Sequence, residues 1–90
     1  MPFFAVICKD KPGHLETRKA NREAHVAYLK ETNVAQAGPF LDGNGEMCGS
    51  LLILDVADVA AAQAWAANDP YAKADLFQDV QIQHWNRVIG

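Results

Sequence analysis

Three basic side chains, Arg18, Arg22 and His25, sit four and three residues apart in the stretch Leu15–Glu31, which contains neither Gly nor Pro. An imidazole accepts and donates a proton near neutrality, and guanidinium groups beside it can hold a carboxylate or phenolate and stabilise developing negative charge. On a helical wheel Leu15, Val26 and Leu29 fall within roughly 60° of one another and mark a core side. Arg22 projects into the middle of that sector, with Arg18 and His25 along one edge. An unpaired buried cation is expensive, so acids or a ligand are expected to meet the three. The plainer alternative also stands: both arginines can lay their stems along the apolar face with their heads in water, and a lone histidine beside an apolar stripe is ordinarily structural.

The remaining candidates have competing structural roles. Asp69 precedes Pro70 and suits the cap of a short helix; one carboxylate oxygen could serve backbone N–H groups while the other meets an imidazole. Asp42 reads most simply as a turn residue. Ser50 can be an ordinary strand residue. His14 and His84 carry no assigned chemistry. Gly-rich phosphate loops, Ser-His-Asp signatures and paired catalytic carboxylates are missing. No Cys/His cluster has metal-ligand spacing, so no metal is expected. Cys8 and Cys48 do not make a disulfide scaffold and read as small buried hydrophobes.

These groups must be positioned by a chain of 90 residues, half of them hydrophobic and 21% charged, which fits one soluble domain spanning residues 1–90 with a single thin core. The net charge of −3 argues against nucleic acid as a partner. No apolar run approaches the ~20 residues that span a bilayer. The opening Met1-Pro2-Phe3-Phe4 lacks a cationic leader; no membrane association and a cytoplasmic location are expected. Residues 9–30 hold six of the eight Lys/Arg against three acids, a local excess that favours a small anionic ligand or a self-complementary contact, or is simply a solvated helix face.

The order of elements follows from periodicity and punctuation. Phe3–Cys8 reads as a buried first strand closed by the turn cluster Lys9–Gly13. Leu15 to about Glu31 reads as a helix, and Val34–Ala37 as a short strand ended by Gly38-Pro39. Asp42-Gly43-Asn44-Gly45 is a turn between strands. Met47–Asp55, apolar on both parities, reads as a central strand. Asp55 or Asp58 caps a second helix to about Ala67, Pro70 starts a short helix running toward Phe77, and Val80–Trp85 with Arg87–Ile89 forms a last strand. The order is βαββαβ, an α+β ferredoxin-like arrangement with two helices on one face of a four-stranded antiparallel sheet. Two helices cover one face only, so the other is expected to be covered by a second copy, as a homodimer stacked sheet on sheet.

Several segments in this order carry a resemblance. They are Arg22–Leu29 on the first helix, Ala37-Gly38-Pro39-Phe40, Gly49-Ser50 opening the central strand, Trp65–Tyr71 and Val80–Trp85. Together they resemble the YciI-like (YCII-related) proteins, small dimeric α+β-barrel domains, over essentially the whole chain. The resemblance implies a histidine/aspartate active centre at His25 and Asp69, and its relatives include an enzyme that eliminates chloride from a chlorinated hydroxyhydroquinone. A His–Asp pair is general acid–base equipment, worth typically 10²–10⁴-fold. With no nucleophile or redox cofactor beside it, proton abstraction, elimination or tautomerisation fits better than acyl transfer or oxidation. The resulting expectation is a small-molecule enzyme with His25 and Asp69 catalytic, Arg18, Arg22 and Ser50 substrate-binding, and no cofactor. The alternative is a non-catalytic ligand-binding or regulatory dimer whose His–Asp pair only satisfies buried polarity. Haem on His25 is a third reading, for which so short a chain has little room.

Overall fold

A computed structural model of the chain describes residues 2–90. The elements are β1 (Phe3–Asp10), α1 (Leu15–Glu31), β2 (Val34–Leu41), β3 (Met47–Asp55), α2 (Val59–Asn68), the single turn α3 (Pro70–Lys73) and β4 (Phe77–Trp85). The sheet order is β2-β3-β1-β4 with every neighbouring pair antiparallel, the ferredoxin-like arrangement, with the helices on one side.

Strand parity decides what faces the helices. Phe4, Val6 and Cys8 from β1 join Leu52 and Leu54 from β3 in a core closed by Ala62 and Trp65 of α2. Leu52, Leu54 and Leu76 are at most 1% exposed, and full burial of such a side chain contributes roughly 1.5–3 kcal/mol. The same period of two carries Ser50, the cross-strand partner of Cys8, onto the helix-covered side. Asp10 continues the parity of Phe4, Val6 and Cys8 and is buried with them. On the other face Ile7 pairs with Leu51 and Ala5 with Ile53, forming an apolar strip that carries no helix.

Several boundaries differ from the sequence reading. β2 does not stop at Gly38-Pro39 but runs through to Leu41, paired with β3 along its length. Proline is tolerated there because β2 is an edge strand, whose outward N–H positions need no ladder partner. β1 continues to Asp10, and β4 begins at Phe77, so the last helix is shorter than expected. Residues 87–89 are not strand; Arg87 instead turns back over the Phe3 ring, 4.6 Å from its centroid. Of the two possible caps for α2, Asp58 is used, accepting from the Ala61 N–H. Asp42 is the turn residue expected, its Oδ1 accepting from the Asn44 and Glu46 N–H groups. Gly49 is required where β3 enters the sheet: any Cβ there would run into the Cys8 carbonyl. Among the described residues no helix is long and apolar enough to cross a membrane, and both cysteines are free.

Candidate active site

The face that α1 buries is rotated from the one its apolar residues mark. Its two buried residues are Arg18 and His25, while Leu15, Val26 and Leu29 are half-buried and Arg22 is exposed. The rotation, roughly 60° on the wheel, has a polar cause at the helix's far end. The Tyr28 hydroxyl donates to the Trp65 carbonyl at 2.8 Å, and the Trp65 indole N–H donates to the Thr32 hydroxyl at 2.8 Å. These bonds to α2 pull the Tyr28 and Thr32 side of α1 down. They bring Arg18 and His25 inside and leave Arg22 at the rim.

His25 meets Asp69 there. Nδ1 of the imidazole lies 2.7 Å from Asp69 Oδ1, with the two side chains 7% and 1% exposed. An ionised carboxylate can only accept, so Nδ1 carries the proton of this bond. Asp69 also caps α3, but one oxygen does both jobs: Oδ1 accepts from the Tyr71 N–H at 3.0 Å as well. Oδ2 is buried with no hydrogen-bond partner among the described residues. Burial pushes the Cys8 thiol up to about 12, with the Asp69 charge adding to it. Burial, then the same charge, raises the Tyr28 phenol.

Arg18 is fixed by Asp10, which is the last residue of β1 and not part of the turn that follows it. Its Nε and Nη2 donate to Asp10 Oδ2 and Oδ1 at 2.6 and 2.9 Å, a bidentate pair, and Nη2 also donates to Ser50 Oγ at 2.8 Å. Burial by itself pulls the guanidinium down, but the Asp10 hydrogen bond and charge outweigh it and hold Arg18 above its ordinary value. Nη1 makes no hydrogen bond among the described residues. Arg18 and His25 are seven residues apart, two turns of α1, hence about 10 Å apart along its axis. The ring of Tyr71 lies between them. Its centroid is 3.9 Å from that of His25 at an interplanar angle of 15°, and Arg18 Cζ lies 4.6 Å from it. Burial raises the Tyr71 phenol, with the Arg18 and Arg22 charges opposing.

Arg18, Arg22, His25, Ser50 and Tyr71 line one cleft of about 170 Å³ whose apolar wall includes Val26, Pro39 and Met47. All four sequence candidates other than Asp69 are therefore brought to one cavity, and Asp69 stands behind His25. Arg22 makes no hydrogen bond or ion pair among the described residues and stands exposed at the rim, against the expectation of a partnered core-side group. A larger groove of about 640 Å³ at the end of the sheet reaches Asp10 but touches neither His25 nor Asp69. No group of three or more His, Cys, Asp or Glu among the described residues is placed to hold a metal ion. Asp10 and Tyr71 are the residues sequence reasoning missed. Asp10 was findable, because Phe4, Val6, Cys8 and Asp10 share one parity of β1.

Comparison with known proteins gives the chain a family and a fold. The model of the YCII-related domain matches residues 2–86. An uncharacterised Haemophilus influenzae protein is 34% identical, covering 96% of this chain and 98% of its own length, and the Escherichia coli protein YciI is 33% identical with the same coverage. The structure of 5-chloro-2-hydroxyhydroquinone dehydrochlorinase (TftG) from Burkholderia phenoliruptrix, in complex with 2,5-dihydroxybenzoquinone, superposes with a TM-score of 0.88 at 32% identity, covering 93% of each chain. A structure named antibiotic biosynthesis monooxygenase reaches a TM-score of 0.60 at 17% identity, covering 99% of this chain and all of its own, a likeness of fold alone. Matched nearly end to end by the family model and by relatives at a third identity, the chain belongs to the YCII-related domain family.

Proposed function

We propose that this protein is a small-molecule enzyme in which His25, backed by Asp69, acts as general acid–base in a proton-transfer or elimination reaction. The observation that carries this reading is the buried 2.7 Å Nδ1–Oδ1 bond on a ring that also lines the cleft. With Nδ1 committed to Asp69, Nε2 is the nitrogen left to exchange a proton with a bound molecule. When Nε2 takes a proton, the Asp69 carboxylate balances the charge of the imidazolium. Departure of an anion from a neighbouring atom of the substrate then completes an elimination.

The cleft argues for a small ligand with anionic or phenolic character. Its volume of about 170 Å³ is close to the ~150 Å³ that accommodates benzene in an engineered cavity. Arg22 at the rim and the Arg18 Nη1 edge offer charge-assisted donors, and Ser50, which accepts from Arg18, retains its own O–H. The dehydrochlorinase with 32% identity, bound to a dihydroxyquinone, supports the same substrate class. The unhelical sheet face, with Ile7, Leu51 and Ile53 in register, is read as the interface of a homodimer.

The test is incubation of the purified protein with 5-chloro-2-hydroxyhydroquinone while released chloride is followed, alongside titration with 2,5-dihydroxybenzoquinone. Chloride release above the uncatalysed rate supports the enzyme. Saturable quinone binding without chloride release supports instead a ligand-binding or regulatory dimer.

A further inference from the structure

We infer that Tyr71 is a positioning residue that clamps the imidazole of His25 in the plane the cleft requires, and that Arg18 acts through it. The inference rests on the acid–base reading of His25 for its purpose, but its physical content concerns the resting protein. Tyr71 holds both members of the His–Asp pair at once. Its backbone N–H donates at 3.0 Å to the Asp69 oxygen that receives the imidazole. Its ring lies nearly parallel to the imidazole, with centroids 3.9 Å apart. A hydrogen bond to Nδ1 alone leaves the ring free to pivot about the N–H···O direction. A parallel aromatic face removes that freedom, because tilting opens a gap on one side and a clash on the other.

The clamp is itself anchored. Arg18 approaches the Tyr71 ring at 4.6 Å, within the range in which a guanidinium is attracted to an aromatic face. Arg18 cannot drift, since Asp10 takes it bidentately and Ser50 accepts from the same Nη2. Tyr71 is 1% exposed and also meets Phe77 edge-on, with centroids 6.1 Å apart. The order therefore runs from Asp10 and Ser50 on the sheet, through Arg18 and the Tyr71 ring, to His25. This gives the buried ion pair a task beyond stability: it sets the edge of the aromatic face against which the imidazole lies. The parallel ring face is what meets the imidazole, while the phenol interacts with Arg18, so phenylalanine should keep the imidazole in its plane and an aliphatic residue should not.

The experiment is proton-detected NMR of the ring nitrogens in the folded, ligand-free protein, with solvent-exchange rates of the His25 Nδ1–H measured in wild type, Tyr71→Phe and Tyr71→Leu. Tyr71→Phe is expected to keep the wild-type resonance and exchange rate. Tyr71→Leu is expected to exchange roughly two- to tenfold faster, the factor that corresponds to ring-stacking energies, with the His25 carbon-bound protons shifted by loss of the tyrosine ring current. Where Tyr71→Leu does not unfold cooperatively, Arg18→Lys reads the clamp from its other side, and faster Nδ1–H exchange is again expected. An unchanged rate in a folded Tyr71→Leu, or in Arg18→Lys when Leu does not fold, overturns the inference. So does a Tyr71→Phe protein that behaves like Leu. None of these readouts involves turnover, so failure of the clamp is distinguishable from failure of the enzyme reading, which chloride release tests separately.

Discussion

Arg18 of α1 and Asp10 of β1 form a two-pronged ion pair, at 2.6 and 2.9 Å, where their side chains are only 3% and 7% exposed. Removing one partner of such a pair strands the other charge and costs roughly 3–5 kcal/mol, whereas replacing both with apolar groups is often neutral. Asp10→Ala is therefore expected to lose about that much in urea unfolding, and Asp10→Ala with Arg18→Met to recover part of it. A loss below about 1 kcal/mol, the range of exposed pairs, would mean that solvent reaches the pair.

Asp69 serves as helix cap and as partner of His25 through one oxygen, and substitution separates the two roles. Asparagine caps about as well as aspartate but carries no charge, while alanine does neither. Asp69→Ala is expected to be less stable than Asp69→Asn by about 1 kcal/mol, with both losing the anionic partner of the imidazole. Equal stability of the two variants would mean that the Asp69 cap adds nothing to the fold.

The fold was legible because its signals were local. Turn residues at Asp42–Gly45, the proline after Asp69 and the two-sided apolar β3 leave little choice but βαββαβ. Pro39 misled because proline usually ends a strand, and whether a strand lies at an edge is decided by sheet order, which no local window contains. The site was legible as a set of residue types and not as a geometry. The wheel of α1 weighed Leu15, Val26 and Leu29 and so placed Arg22 inward. The actual phase is set by Tyr28 and Thr32 bonding to Trp65, a contact between residues more than thirty apart. Tyr71 escaped notice for the same reason: its ring acts on α1 from a different part of the chain.

Cys8 gives a prediction in pH. Burial first, then the Asp69 charge, raises its thiol from 9.0 to about 12, so the folded state favours the neutral form. Above pH ~9 the unfolded thiol ionises while the folded one does not. Stability is therefore present below pH 9 and falls as pH rises toward 12, by at most about 1.4 kcal/mol per pH unit. Cys8→Val should show a flatter alkaline decline in urea midpoint than wild type. In native protein a disulfide reagent should label the half-buried Cys48 and not Cys8, which is 2% exposed; labelling of both thiols at one rate would show that Cys8 is accessible.

The apolar strip of Ile7, Leu51 and Ile53 predicts self-association. Sedimentation at micromolar concentration is expected to give about twice the chain mass of 9.9 kDa. Leu51→Lys, which places a charge on that face without touching the cleft, should shift the protein toward monomer. A wild-type protein that sediments as a monomer at that concentration contradicts the sheet-on-sheet arrangement.

Whether His25 moves the proton is decided by comparing kcat and KM for chloride release between wild type and His25→Gln. Glutamine keeps a hydrogen-bonding side chain of similar reach but cannot shuttle a proton. In His25→Gln kcat is expected to fall by roughly 10²–10⁴-fold, the usual worth of a positioned acid–base group, with KM little changed. Wild-type kcat in a correctly folded His25→Gln protein would contradict that role.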